Sequence, residues 1–167
     1  EICSLRDAAA DRMRLGDPAG ALMVFDRLLT LTPDDPVGQV NRGNALNRLG
    51  RAAEALAGFD RAIALSPRMA VAHSNRAQTL NTLDRFDEAL AGADRALALD
   101  PGLANAWRHR GMALFRLERL EAALESFREA ARLTSGPQAA EPLAEVGMVL
   151  AELGRDDEAL AAYDRAA

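Results

Sequence analysis

A fixed period of 34 residues governs this sequence, and a period of that length decides the fold before any helix is assigned. Pro33, Pro67 and Pro101 stand 34 apart, as do Ala21, Ala55, Ala89 and Ala123, and Leu15, Leu49, Leu83 and Leu117. After Pro101 the register slips by two. Gly43, Ala77 and Gly111 continue at Gly147, and the extra pair falls within Ser135-Gly136-Pro137-Gln138. In the unit 36–69, apolar side chains at Val40, Leu46 and Leu49, then at Leu56, Phe59, Ile63 and Leu65, recur at helical spacing. Gly50 between the two runs supplies a left-handed stop, as Gly16 and Gly154 do in their units. Pro67 and Pro101 close the second run, because a proline ring cannot continue the hydrogen-bond ladder. Each unit is therefore predicted to be a helix–turn–helix hairpin, and the chain all-α.

Composition agrees with this and removes other classes. The chain is 49% apolar but only 4% aromatic, with alanine at 36 of its 167 positions, which suits close helix packing rather than an aromatic β core. No stretch approaches the ~20 apolar residues of a membrane span, and the opening Glu1-Ile2-Cys3-Ser4-Leu5-Arg6-Asp7 lacks a signal-peptide layout. Cys3 is the lone cysteine, and His73 and His109 are the only histidines, so neither a disulfide framework nor a metal centre is expected. These features lead us to expect no cofactor and a cytoplasmic setting. A missing initiator Met and an ending in Tyr163-Asp164-Arg165-Ala166-Ala167 without a helix stop suggest a piece of a longer protein.

The spacing Gly43-(x)2-Leu46-(x)8-Ala55-(x)3-Phe59-(x)2-Ala62-(x)4-Pro67 resembles the tetratricopeptide repeat. Five copies, 2–35, 36–69, 70–103, 104–139 and 140–167, make a single array over 1–167. Departures are local: Arg12 stands for an apolar residue, Ala93 for the aromatic, Leu28 for the second alanine, and the fifth copy lacks its closing turn. Hairpins of this kind cannot bury their apolar faces alone and are stable only when stacked. The resemblance implies a right-handed α-solenoid of antiparallel helix hairpins, first helices lining a concave groove and second helices forming the convex back.

Charge is segregated along the repeat. The stretches 37–49, 71–83 and 104–117 hold Arg42, Arg48, Arg76, Arg108, Arg110 and Arg116 and no acid, whereas 51–66, 85–100 and 118–134 hold ten acids against seven Arg. A chain with formal charge −5 thus carries a basic inner lining suited to an acidic or carboxylate-bearing segment. Half of that lining is expected to be structural. Arg42, Arg76 and Arg110 share one repeat position, Asp26, Asp60 and Asp94 another, and where the acid becomes Arg128 the matching partner becomes Val146. This covariation within one chain predicts a bridge from each second helix to the next first helix. Arg48, Arg108 and Arg116 are left as free groove candidates.

Amides form the second constellation. Asn41, Asn75 and His109 share one groove position, Asn44, Gln78 and Met112 another, and Asn47, Asn81 and Phe115 a third. An amide donates to a carbonyl and accepts from an N–H at once, so a row of them suits an extended peptide whatever its side chains. Asn41 followed by Asn75 is similar to the asparagine ladder of O-linked N-acetylglucosamine transferase superhelices. The competing reading is local bonding on the helix surface. The carboxylate clamp of chaperone-binding members is matched only by Asn44 and Asn75, since Val40, Asn105 and His109 stand at its basic positions; protonated His109 would still suit an acidic group. Met112 and Phe115 are expected to form an apolar pocket beside Arg108 and Arg116, with Trp107 in a packing role and Cys3 inert.

There is no nucleophile–base–acid set and no Gly-rich phosphate loop, so the chain is not expected to be an enzyme. Little aromatic interleaving in the basic lining argues against nucleic acid. The expected function is a non-catalytic scaffold presenting Asn41, Asn44, Arg48, Asn75, Gln78, Arg108, His109, Met112 and Arg116 to a protein or peptide segment, an acidic one fitting best. Two alternatives stay open: the substrate-recognition arm of a larger enzyme, such as a bacterial relative of the O-linked N-acetylglucosamine transferases, and self-association through an uncapped apolar end at Val149, Leu153, Leu160 and Tyr163.

Overall fold

The computed structural model describes all 167 residues. Ten α-helices follow one another: α1 (Ile2–Arg14), α2 (Pro18–Leu31), α3 (Pro36–Arg48), α4 (Ala52–Leu65), α5 (Ala70–Thr82), α6 (Phe86–Leu99), α7 (Ala104–Arg116), α8 (Leu120–Leu133), α9 (Ala140–Glu152) and α10 (Asp156–Ala166). A short 3₁₀ turn, Gly136–Ala139, lies where the period slips by two and lets α9 begin in register. Consecutive helices pair as hairpins, and each second helix packs on the first helix of the next hairpin. The result is a solenoid. None of its helices is long and apolar enough to cross a membrane.

Local chemistry sets the boundaries. Asp17 and Asp35 accept from the backbone N–H of Gly20 and Val37, capping α2 and α3, whose first positions are Pro18 and Pro36. α4 and α6 stop at Leu65 and Leu99, two residues before Pro67 and Pro101, as the sequence predicts. Within each hairpin the turn is the same Schellman closure. The N–H of Asp17, Arg51, Arg85, Arg119 and Arg155 donates five residues back, to Arg12, Leu46, Leu80, Leu114 and Leu150.

That closure needs a residue at positive φ. Gly16, Gly50 and Gly154 fill the place in three hairpins, but Asp84 and Glu118, both at φ 57°, fill it in the other two. Without a glycine, those two turns are marked in the sequence by the 34-residue period alone. A side chain in this region costs about 1–2 kcal/mol. Glu118→Gly is expected to raise stability by about 0.5–1 kcal/mol once glycine's own entropy is counted, measurable as a higher urea midpoint; a lower midpoint would show that the turn is not strained.

Small residues set how close the helices come. A Cβ added at Gly43 would stand 2.7 Å from the Phe59 ring, and one at Gly111 2.7 Å from Phe127. Both rings are fully buried, with Leu46, Leu80 and Leu114 completing the stacked core. In the third hairpin Ala93 replaces the ring, and Ala77 stands at the position of Gly43, Gly111 and Gly147. Arg12 at the leucine position leaves α1 with Ala9 as its only buried residue. The expected apolar end is partly corrected: Val149 is fully buried, because it shares the inward position of Ala113, while Leu160 and Tyr163 are exposed.

Candidate functional site

The lateral bridges read from covariation are present. Arg42 donates to Asp26 at 2.6 Å, Arg76 to Asp60 at 2.7 Å and Arg110 to Asp94 at 2.7 Å. These half-buried guanidinium groups join second helices to the following first helices and are not free for a ligand. Being partly solvated, each pair contributes about 0.5–1 kcal/mol.

The amides lie between successive first helices. Asn75 Nδ2 donates to Asn44 Oδ1 at 2.8 Å, tying α5 to α3, and Asn47 Nδ2 donates to Thr79 Oγ1 at 2.8 Å beside it. Farther along, Asn81 Nδ2 donates to the His109 carbonyl at 2.8 Å, tying α5 to α7. Local bonding thus takes part of each amide's capacity. The Asn44–Asn75 bond leaves Asn44 Nδ2 able to donate and Asn75 Oδ1 able to accept, neither making another bond within the chain. Gln78 is exposed and unbonded, and Asn41 lines a neighbouring hollow with Asn44, Met13 and Phe25.

Around the Asn44–Asn75 pair runs a groove of about 770 Å³, whose lining includes Met13, Asn47, Arg48, Gln78, Thr82 and Asn105. It holds no acid. Arg48 is its one charged residue, donating to the Met13 carbonyl at 2.9 Å at the end of α1, so its charge faces no carboxylate. Asn105 and Thr82 were not among the expected contacts. Asn105 stands where the chaperone clamp needs a base, and in the fold its amide extends the groove to α7.

Four expectations are corrected here. His109 is buried and its Nδ1 lies 3.1 Å from Ser74 Oγ, so it does not face the groove as a cationic contact. Burial, reinforced by the Arg108 guanidinium, pushes its pKa down to about 4. Arg108 is not free: it binds Glu145 at 2.8 Å and Glu141 at 2.5 Å. Arg116 is not free either, pairing with Asp84 at 3.1 Å and lying over the Phe86 ring at 4.6 Å. Phe115 packs into the core with Leu114 and Val149, so the expected Met112–Phe115 pocket is not formed. Met112 lines an adjoining hollow with Gln78, Arg108 and Arg116.

Glu145 was missed. It occupies the repeat position of Asn41, Asn75 and His109, where aligning the copies across the two-residue slip would have revealed it. Burial raises its pKa although Arg108 opposes this, and one of its carboxylate oxygens has no partner. The basic end expected near Arg108 and Arg116 is therefore neutralised, and the uncompensated charge of the amide groove lies at Arg48 instead.

Stacked hairpins with a polar inner groove define a helical-repeat protein. A family model described as tetratricopeptide repeat matches residues 6–70 and 74–140, most of the sequence, and the chain belongs to that family, whose members typically serve as protein-interaction scaffolds. None of the curated protein sequences matches it. Among solved structures it is similar to TTC0263, a thermophilic tetratricopeptide-repeat protein of Thermus thermophilus, at 24% identity and TM-score 0.87, covering 99% of this chain and 90% of that one. It is also similar to MamA, residues 41 to the end, from Desulfovibrio magneticus RS-1, at 22% identity and TM-score 0.80, covering 99% and 92%. At these identities the likeness establishes the fold alone.

Proposed function

We propose that the chain is a non-catalytic scaffold that holds an extended segment of a partner protein in the groove lined by α1, α3, α5 and the start of α7. The observation that carries this reading is the Asn44–Asn75 pair. With Asn75 Nδ2 bonded to Asn44 Oδ1, Asn44 Nδ2 and Asn75 Oδ1 are left to receive a peptide C=O and N–H. Gln78 and Asn105 extend the same chemistry, and Arg48 favours a segment with a carboxylate near the α1 end. Because the groove is polar and open, affinity is expected around micromolar, ~−8 kcal/mol.

The test is a displayed random 12-mer library selected on the chain, followed by titration of enriched peptides against an Asn44→Ala/Asn75→Ala variant. About tenfold weaker binding is expected, from two lost hydrogen bonds of about 0.5–1.5 kcal/mol each. Unchanged affinity sinks the amide reading. Arg48→Ala should weaken acidic peptides more than neutral ones.

The enzyme-arm reading rests on the Asn41-Arg42-Gly43 and Asn75-Arg76-Ala77 runs, and the encoded sequence beyond residue 167 decides it. Self-association is supported by Leu160 and Tyr163, exposed where their counterparts Leu124 and Phe127 are buried; a molecular mass in sedimentation that does not change with concentration argues against it.

A further inference from the structure

Three of the four junctions between consecutive hairpins are closed by the same device. Arg42, Arg76 and Arg110 leave their first helix, pass between two second helices and meet Asp26, Asp60 and Asp94. In the third of these junctions the filling is most complete, because Arg110 also donates to Ser126 Oγ at 2.7 Å and lies 5.8 Å from the Trp107 ring centroid. At the fourth junction, between α8, α9 and α10, both members are exchanged. Val146 stands at the arginine position and Arg128 at the aspartate position.

Valine is too short to fill the space a guanidinium takes elsewhere. A slot of about 400 Å³ is left, with Leu143, Val146, Leu150 and Ala162 in its floor and Arg128, Arg132, Arg165 and Glu158 around it. It shares no lining residue with the amide groove. Its size falls within the range of ligand-accepting pockets, about 300–1,000 Å³.

The sign of the charge is reversed as well. Glu158 is already held by Arg155 through two hydrogen bonds of 2.8 and 2.7 Å, and Arg128 reaches it only at 3.7 Å. Arg132 pairs along its own helix with Glu129 at 2.8 Å, and Arg165 pairs with no acid. Where the other junctions offer an aspartate already matched by an arginine, this one offers arginines in excess over an apolar floor. We propose that the slot takes an Asp or Glu side chain of a partner protein, flanked by small apolar residues that seat on Leu143, Val146 and Leu150. The incoming carboxylate replaces, with opposite polarity, the ion pair that closes the other three junctions. A side chain is the occupant that fits best, because side chains fill every equivalent space in this molecule.

The other junctions supply the controlling variant. Val146→Arg/Arg128→Asp recreates the pair made by Arg42 and Asp26 and fills the slot, so it is expected to fold and to melt no lower than the parent chain. Peptides from a 12-mer library with one fixed central glutamate, selected on the parent chain, should bind this variant about tenfold or more weakly. They should bind Asn44→Ala/Asn75→Ala with unchanged affinity, which separates the slot from the groove. Replacing the glutamate with glutamine should lower affinity similarly. Equal binding by the filled-slot variant, no loss with glutamine, or no enrichment at all would overturn the proposal.

Discussion

Replacing Phe59 by alanine is expected to cost the array about 3–5 kcal/mol, the usual range for deleting a fully buried ring. The ring is 0% exposed and sits against Gly43, where even a methyl group would stand 2.7 Å away, so truncation leaves a cavity that the backbone of α3 cannot fill without moving. Domain stabilities of about 5–15 kcal/mol make this a large fraction of the total. In a stack whose units depend on their neighbours, the loss spreads to the units on either side. Urea unfolding followed by helical circular dichroism should show a much lower midpoint, or a first transition separating from the rest. Tyr163→Ala is the internal comparison: that ring occupies the same repeat position but is 41% exposed, and its loss should cost about 1 kcal/mol or less. Equal effects at the two positions would show that stacking does not bury these rings as described. In the third hairpin the ring is absent at Ala93 and the facing residue is the larger Ala77, so loss of the ring is accompanied by a gain opposite it, although Ala9 and Phe25 coexist in the first. There α1 lies at the start of the stack and has little else buried to hold it against α2.

The second large effect is a pH dependence centred on His109. Its folded pKa of about 4 lies below the 6.5 of a free imidazole, so between those values the unfolded chain binds a proton that the folded chain refuses. The contribution is full above pH 6.5 and is lost as the pH falls through 6.5 toward 4. At about 1.4 kcal/mol per unit, this amounts to roughly 3 kcal/mol. Glu145 shifts in the opposite sense, and protonation of other carboxylates overlaps the window, so the wild-type slope alone does not isolate the histidine. His109→Asn does, since asparagine occupies this repeat position at Asn41 and Asn75. Its stability between pH 4 and 6.5 should be flatter than that of the parent chain by up to that amount. Identical slopes would contradict a buried neutral imidazole.

How much of this was legible depends on whether both ends of an interaction share the period. The Asp26–Arg42 bridge and its two counterparts could be read because donor and acceptor recur 16 residues apart and change together at Arg128 and Val146. The helix stops before Pro67 and Pro101 could be read because proline's lost N–H and fixed φ act locally. His109 was misread because a repeat position tells which face a residue lies on, not how closely two first helices approach; α7 packs against α5 so tightly that Ser74 reaches the imidazole. Arg108 was misread because its partners, Glu141 and Glu145, lie beyond the two-residue slip, where a strict spacing of 34 no longer aligns the copies. The turns at Asp84 and Glu118 were legible only from the period, because no glycine marks the positive φ that the hairpin closure imposes there. In the groove, residue type revealed the amides, but only packing could show which of their hydrogen-bonding atoms were already used.

The most direct test of the groove is a nuclear magnetic resonance titration of the isotopically labelled chain with a peptide selected on it. The side-chain amide signals of Asn44, Asn75, Gln78 and Asn105 should shift together and saturably, while those of second-helix backbone sites in α2, α4 and α6 stay in place. Saturable shifts confined to the second helices, with those four amides unmoved, would contradict the claim that the inner face of the solenoid is where this protein holds its partner.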